Sequence, residues 1–173
     1  MSRSSLRNGI AAALQAANLQ YVGTVYPARP VVLQEDAYVQ AMNGTAIAES
    51  PNGSSAVLVV NLVSDKRERR ADTGRGAVND SRIHQVVLEI FFASTGGDGI
   101  AAQNDYDIIV DQLVEFVRDN PTLAGAWSSG EYTSGVAHEQ DEPKTDQDGV
   151  GIIFIAGVLR WEAWEWISGN VPR

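Results

Sequence analysis

The stretch FFASTGGDGIAAQ, residues 91–103, has the layout of a phosphate-binding site, because an apolar run, a glycine-rich turn and a helical pattern follow one another. A P-loop also requires a Lys followed by Ser or Thr after its glycines, and a dinucleotide site requires G-x-G-x-x-G. Neither is present. Asp98 would also repel a phosphate from the helix N-terminus. We therefore expect a turn with Asp98 near the helix start and no nucleotide site.

Acidic residues are the next candidates for chemistry, either as cation ligands or as a carboxylate pair. Of Asp105, Asp107 and Asp111 in the helical pattern over 100–118, only Asp107 and Asp111 are spaced to share a face, so we expect this helix to turn its acids to water. These are Asp105, Asp107, Asp111 and Glu115. The acidic run DEPKTDQDG, residues 141–149, lacks the spaced ligands and terminal Glu of a calcium loop. We predict no metal site.

Histidine, serine and cysteine give no nucleophilic constellation. The chain has two histidines and no cysteine. His84 begins an apolar strand pattern, where a structural role is expected, and His138 lies in a polar stretch that predicts exposure. No G-x-S-x-G elbow accompanies the serines. We predict no catalytic residues, no cofactor and no enzymatic activity.

Positive charge is concentrated in SDKRERRADTGRGAVNDSRIHQ, residues 64–85, although the whole chain carries a net charge of −9. Six of the 13 basic residues lie there: Lys66, Arg67, Arg69, Arg70, Arg75 and Arg82. Three interpretations remain open: a solvated loop, a surface that docks onto an acidic partner such as a second copy of the chain, or a path for passing DNA. The cluster has no interleaved aromatic residues for stacking on bases.

A second candidate surface is the sequence RWEAWEW, which holds Trp161, Trp164 and Trp166. Exposed tryptophans at this density are costly unless they pack at home or against a partner. Core packing and contact between subunits are equally consistent with the sequence.

Length and composition indicate one globular domain over residues 1–173, with 44% hydrophobic and 20% charged residues. No apolar run reaches the roughly 18 residues of a membrane-spanning helix, so we expect a soluble protein. The absence of cysteine excludes disulfides and thiolate metal sites.

Periodicity predicts the elements that would position these residues. We expect helices over 4–18 and 100–118, and strands over 56–64, 83–93, 131–139 and 150–166. An irregular arm over 21–55 would hold a short strand at Val31–Leu33 and a helical turn at Asp36–Met42. A projecting loop over 64–82 and a C-terminal tail over 162–173 complete the chain. The predicted fold class is α+β: a mostly antiparallel four-stranded sheet with two helices packed on one face, a long hairpin loop and an extended N-terminal arm.

In their order, these elements resemble bacteriophage tail terminator proteins, the tail-completion family that includes lambda-type minor tail protein U. The segments that carry the resemblance are SLRNGIAAALQAA, RIHQVVLEIFF, DYDIIVDQLVEFVRDNPTLAG with its NP-x-L ending, and GIIFIAGVLRWEAW. They cover Leu6–Leu19 and Ala56–Trp161. The arm over 21–55 and the residues after Trp161 depart from the family pattern.

The resemblance implies a structural virion protein of the phage neck. Such a protein forms a hexameric ring that caps the tail tube, ends tail polymerisation and provides the interface for head docking. Its partners would be further copies of itself, the tail tube protein and a head-completion or connector protein, and DNA would pass the lumen without specific binding. It would be assembled in the cytoplasm of the host bacterium and reside in the virion. The alternatives are another head–tail connector or stopper protein, or a small ligand-binding domain or enzyme.

Overall fold

The structure is a computed structural model that describes residues 2–29, 53–71, 78–96, 98–120, 122, 136–145 and 151–169, with residues 64–71, 78–81 and 164–169 described by their backbone. The elements of these residues are, in chain order, α1 (Arg3–Ala16), β1 (Val22–Tyr26), β2 (Ser54–Ala71), β3 (Val78–Ser94), α2 (Gly99–Asp119), β4 (Ala137–Gln140), β5 (Lys144–Thr145) and β6 (Ile153–Gly169). None of the described helices combines the length and the apolar character needed to cross a membrane.

The two helices begin at polar caps. Ser2 caps α1, its hydroxyl accepting a hydrogen bond from the Ser5 amide at 3.1 Å, so the helix begins at Arg3, one residue before the predicted start at 4. The helix ends before Asn18, which adopts a positive φ of 48° that is tolerated by Asn. Asp98 caps α2 by accepting from the Ile100 amide at 2.9 Å, as predicted for the glycine-rich turn.

Among the described residues the sheet is mixed and has six strands, in the order β1-β2-β3-β6-β4, with β5 also paired to β6. The α+β class and the mostly antiparallel pairing are confirmed, but the predicted count of four strands is wrong. The pairs among β2, β3, β6, β4 and β5 are antiparallel, whereas β1 runs parallel to β2. Strands β1 and β5 were missed because five and two residues are too few to show a periodicity, and their pairing is decided by distant segments.

Both helices bury their apolar residues against the same face of the sheet. The core contains Leu6, Ile10 and Leu14 of α1 and Tyr106, Ile109 and Leu113 of α2. Alternate residues of the three long strands meet them: Ala56, Leu58, Val60, Leu62, Val86, Leu88, Ile90, Phe92, Ile155, Leu159, Trp161 and Ala163. These positions lie opposite one another across the paired strands: Leu58 of β2 pairs with Ile90 of β3, and Ile90 pairs with Gly157 of β6. The buried row of β3 from Val86 to Phe92 therefore lies within the strand predicted over 83–93.

β2 and β3 are longer than the sequence predicts, and β6 is shifted by three residues from the predicted strand over 150–166. β2 runs to Ala71 and β3 starts at Val78, with Ala71 paired to Val78, so most of the predicted loop over 64–82 is hairpin backbone. β6 continues to Gly169, which pairs with Val78, so the predicted tail from 162 is strand for most of its length. Residues 64–71 of β2 are mostly polar and lack the apolar alternation that marks a half-buried strand. Their pairing with β3 is what continues the strand. The expected elements at Val31–Leu33 and Asp36–Met42 lie outside the described residues.

Candidate interaction surface

The candidate surface is the three-stranded arm, which we define as residues 64–71 of β2, 78–85 of β3 and 162–169 of β6. Its first row is Ser64, Gln85 and Glu162, and its last row is Ala71, Val78 and Gly169. At about 3.4 Å per residue, these eight rows extend over roughly 25 Å. The arm thus continues the sheet past Leu62, the last described core residue of β2.

The arm separates charge between its outer strands. Its β2 segment contains Lys66, Arg67, Arg69 and Arg70 against Asp65 and Glu68, a net charge of +2. Its β6 segment contains Glu162 and Glu165 and no basic residue, a net charge of −2. Arg82 lies on the strand between them, paired with Arg67 on one side and Glu165 on the other. Arg75, the remaining member of the predicted basic cluster, lies outside the described residues.

A β-bulge at the base of the arm changes which β2 positions share a face. Leu62 pairs with Val86 and Ser64 with Gln85, so Val63 is the extra residue, and its side chain is 63% exposed. Before the bulge the even-numbered residues of β2 face the helices; after it Asp65 pairs with the buried His84. A bulge reverses the alternation for every later residue. The strand positions of Arg67 and Arg69 therefore share a face with that of Arg82, and those of Lys66 and Arg70 belong to the opposite face.

The three tryptophans do not form one surface. Trp161 is 2% exposed and lies in the core row opposite Val86. Its indole nitrogen has no hydrogen-bond partner among the described residues, so its contribution comes from packing. In the arm, Trp164 pairs with Ile83 and Trp166 pairs with Ser81. Their strand positions belong to the sheet face opposite that of Trp161. Of the two predicted roles, core packing holds for Trp161.

A shallow groove of about 360 Å³ crosses the sheet at the base of the arm. Its lining comes from neighbouring rows of β2, β3, β6 and β4: Val63, Gln85, Val86, Val87, Ala137, Arg160, Trp161 and Glu162. It combines exposed apolar surface at Val63 with charged side chains at Arg160 and Glu162. Arg160 also pairs with Glu139 on β4, at 2.5 Å. The groove makes the base of the arm concave rather than flat.

A second polar cluster joins α2 to the sheet edge. The hydroxyl of Tyr106, a fully buried residue, lies 2.9 Å from Nε2 of the exposed His138 on β4. Beside it the amides of Gln103 and Gln140 pair reciprocally, at 2.9 and 3.1 Å.

Burial raises the pKa of Tyr106, and Asp107 and Asp141 raise it further, so the hydroxyl stays protonated at neutral pH. Desolvation lowers the pKa of His138, with Asp107 acting in the opposite direction. The cluster attaches β4 to the helix layer, a role that His138 did not have in the sequence prediction.

The buried carboxylate of Asp105 corrects the prediction that all the acids of this helix face water. Asp105 is 5% exposed, and its Oδ2 accepts a hydrogen bond of 2.6 Å from Ser54. The Ser54 hydroxyl also lies 3.2 Å from that of Ser94. Asp107, Asp111 and Glu115 are exposed as predicted. Asp105 precedes the buried Tyr106, so its place at the edge of the apolar stripe can be predicted from the sequence. Its burial cannot, because its partner Ser54 lies on a strand that is distant in sequence.

The described residues contain no group of three or more His, Asp or Glu side chains arranged to hold a metal ion. No protein-family model matches the chain, and no curated protein matches it either. Its function is therefore inferred from the arm, the charge distribution and the order of the elements.

Proposed function

We propose that this chain is a structural protein of the phage neck, of the tail terminator type, that acts without catalysis. It forms a ring on the end of the tail tube, stops further tube polymerisation and presents the surface to which the head docks. The observation that carries this proposal is the three-stranded arm, with its basic β2 strand on an otherwise acidic protein. The α+β arrangement with both helices on one face is consistent with the order of elements on which the resemblance rests.

Charge separation supports association between copies. A ring is built from heterologous interfaces, in which one patch of each subunit meets a different patch of its neighbour. Residues 65–82 carry six basic and four acidic residues, a net charge of +2. Because the whole chain carries −9, the remaining residues carry −11. Complementary potentials of this kind favour docking in one orientation and disfavour the alternatives.

The same charge distribution fits a protein through which DNA passes. Phosphate contacts dominate nucleic-acid affinity, and an acidic surface supplies few of them. A lumen lined by the acidic remainder would let DNA slide without being held. The ring would thus be assembled in the bacterial cytoplasm and retained in the neck of the virion.

The test is tube capping. Tail tubes assembled from the tail tube protein of the same phage are extended with and without this protein, and their lengths and ends are measured by electron microscopy. We expect rings at tube ends and an arrest of elongation. Binding to DNA-filled heads but not to tubes would assign the protein to the connector or stopper class instead. A protein that remains monomeric and binds neither tubes nor heads contradicts the proposal.

A further inference from the structure

Strand β1 is the outermost strand on its side of the described sheet, where it pairs with β2. It has five residues, and its register with β2 is irregular: Val22 pairs with Ala56 and Thr24 with Val57, so Gly23 is an extra residue. Short and bulged strands are common at sheet edges, where backbone donors and acceptors can pair with another chain. The contacts on the outer side of β1 therefore decide whether such pairing is possible there.

The side chain of Gln15, on the last turn of α1, lies against this outer side. Its Nε2 donates to the Gly23 carbonyl oxygen at 3.2 Å, and its Oε1 accepts from the Val25 amide at 2.9 Å. In a parallel ladder, one residue of the next strand makes the same pair of bonds: it donates to one carbonyl and accepts from the amide two residues later. The primary amide of Gln15 thus takes the place that a residue of a further strand would occupy.

The chemistry of glutamine suits this position. A primary amide offers both donors and an acceptor, whereas ionised Glu offers only acceptors and charged Lys only donors. Val25 is 8% exposed and its amide is partly buried, so leaving that amide unpaired would be costly. Both backbone groups are satisfied by one side chain of the same subunit.

The turn between α1 and β1 brings Gln15 and β1 together. Asn18 and Tyr21 have positive φ values of 48° and 64°, a conformation that is rare for a bulky residue such as tyrosine. The turn is also held from α2, because the Gln20 amide donates to Oε1 of Gln112 at 2.8 Å. Strained backbone of this kind persists only where the surrounding structure fixes it. The position of Gln15 against β1 is therefore set by the fold.

We propose that the Gln15 side chain closes the β1 edge against strand addition by a second copy of this chain. Gly23 and Val25 provide an acceptor and a donor, so two β1 edges are complementary and can pair about a two-fold axis. In each copy Gln15 occupies both groups, which leaves association to other surfaces. The inference does not depend on the proposed ring, because it concerns a contact that the fold prevents.

Gln15→Met tests the inference, because methionine retains the length and the helix propensity of glutamine but has no amide. In dilute protein we expect the Val25 amide to exchange its hydrogen about tenfold faster than in wild type. At higher concentration the variant should form species larger than those of wild type in sedimentation. The Val25 amide should regain protection as these species form, which would place the new contact at the β1 edge.

Gln112→Met is the matched control. It removes one hydrogen bond between a side-chain amide and the backbone, that of the Gln20 amide, but leaves both bonds of Gln15 in place. It should form no larger species, and the exchange rate of the Val25 amide should equal that of wild type. Near-ultraviolet circular dichroism establishes that each variant is folded.

Each of three results contradicts the proposal. Unchanged exchange at Val25 in Gln15→Met would show that the glutamine amide does not close the edge. Faster exchange without larger species at any concentration would show that the edge is no site of self-association. Larger species in which the Val25 amide stays unprotected, or which Gln112→Met forms equally, would assign the association to another surface.

Discussion

The hydroxyl of Tyr106 lies 2.9 Å from Nε2 of His138, and this contact passes over Gly157 of β6. A Cβ atom at Gly157 would lie 1.8 Å from the Tyr106 hydroxyl oxygen and 3.1 Å from the backbone oxygen of Glu139. The absence of a side chain at one position of the central ladder is therefore what lets a buried tyrosine reach the edge strand. The Phe92 ring meets Tyr106 edge-on at 5.8 Å and fixes its other side.

Gly157→Ala should be strongly destabilising for this reason. Because Tyr106 is fully buried and cannot move aside freely, we expect a loss of about 3 kcal/mol in the free energy of unfolding. Urea denaturation measures it. Gly99→Ala is the matched control, since its Cβ would meet no atom within 4 Å. A loss at Gly157 no larger than that at Gly99 would show that the tyrosine has room to move.

Removing the hydroxyl should relieve part of that clash. Tyr106→Phe alone should cost about 1 kcal/mol, the typical net contribution of one hydrogen bond. Combined with Gly157→Ala, it should cost less than the sum of the two single changes, because the shortest contact of the new methyl group is with the missing oxygen. A double-mutant cycle in urea measures the coupling. Strict additivity would contradict a direct clash.

The Tyr106–His138 contact should make stability depend on pH. Desolvation lowers the pKa of His138 in the folded protein, so near and below pH 6.5 the unfolded chain binds more protons than the folded one. The free energy of unfolding should therefore fall as the pH drops through about 6.5, and level off below the folded pKa. In the tautomer in which Nε2 accepts from the tyrosine hydroxyl, protonation also removes that lone pair.

His138→Gln separates this effect from other titrations, because it removes this group and retains His84. Urea unfolding at several pH values between 5 and 8, in both proteins, should show a steeper loss of stability on acidification in the wild type. Equal slopes would assign the pH dependence to other groups.

Asp105 should be more important to stability than any exposed acid of the same helix. Asp105→Ala leaves the buried Ser54 hydroxyl without its acceptor at 2.6 Å and should cost about 2 kcal/mol. Asp111→Ala, on an exposed position of α2, should change stability by less than about 0.5 kcal/mol. Chemical denaturation of the two variants makes the comparison. Similar values for both would remove the structural role inferred for the buried pair.

Replacing Arg67, Arg69 and Arg70 with Ser should weaken docking while leaving the fold intact. These cations lie in the arm beyond the last described core residue of β2, so little packing should be lost. Because surface charges are screened by salt, the difference from wild type should shrink as ionic strength rises from 0.05 to about 0.5 M. Binding to a second copy or to tubes, measured across this range, tests it. Unchanged docking would make the cluster a solvated feature.

Much of the core could be predicted from the sequence, because it follows strong periodicity. The helix over 100–118 agrees with α2, the strand over 83–93 lies within β3, and the apolar row through Val86, Leu88 and Ile90 is the buried face. The cap at Asp98 followed from its position before a helical pattern. These features depend on residues that are close in sequence, so they can be predicted from the sequence alone.

The features that were missed depend on distant partners. The outer half of β2 has no apolar alternation, and its pairing with β3 continues the strand to Ala71. The burial of Asp105 depends on Ser54, which lies far away in sequence and beside it in space. The Tyr106–His138 contact likewise requires Gly157, whose importance no local pattern indicates.

The central position of β3 has a consequence for the order in which the chain can fold. β2 and β3 are sequence neighbours and can form their hairpin early, whereas β6 is separated from β3 by residues 95–152. During synthesis the hairpin must wait for this whole segment to leave the ribosome, with one edge of β3 open and its apolar row uncovered. Such an edge is prone to aggregation. Aggregation should therefore be most frequent in the interval between synthesis of the hairpin and synthesis of β6. Slow elongation over residues 95–152 lengthens this interval and should lower the yield of folded protein.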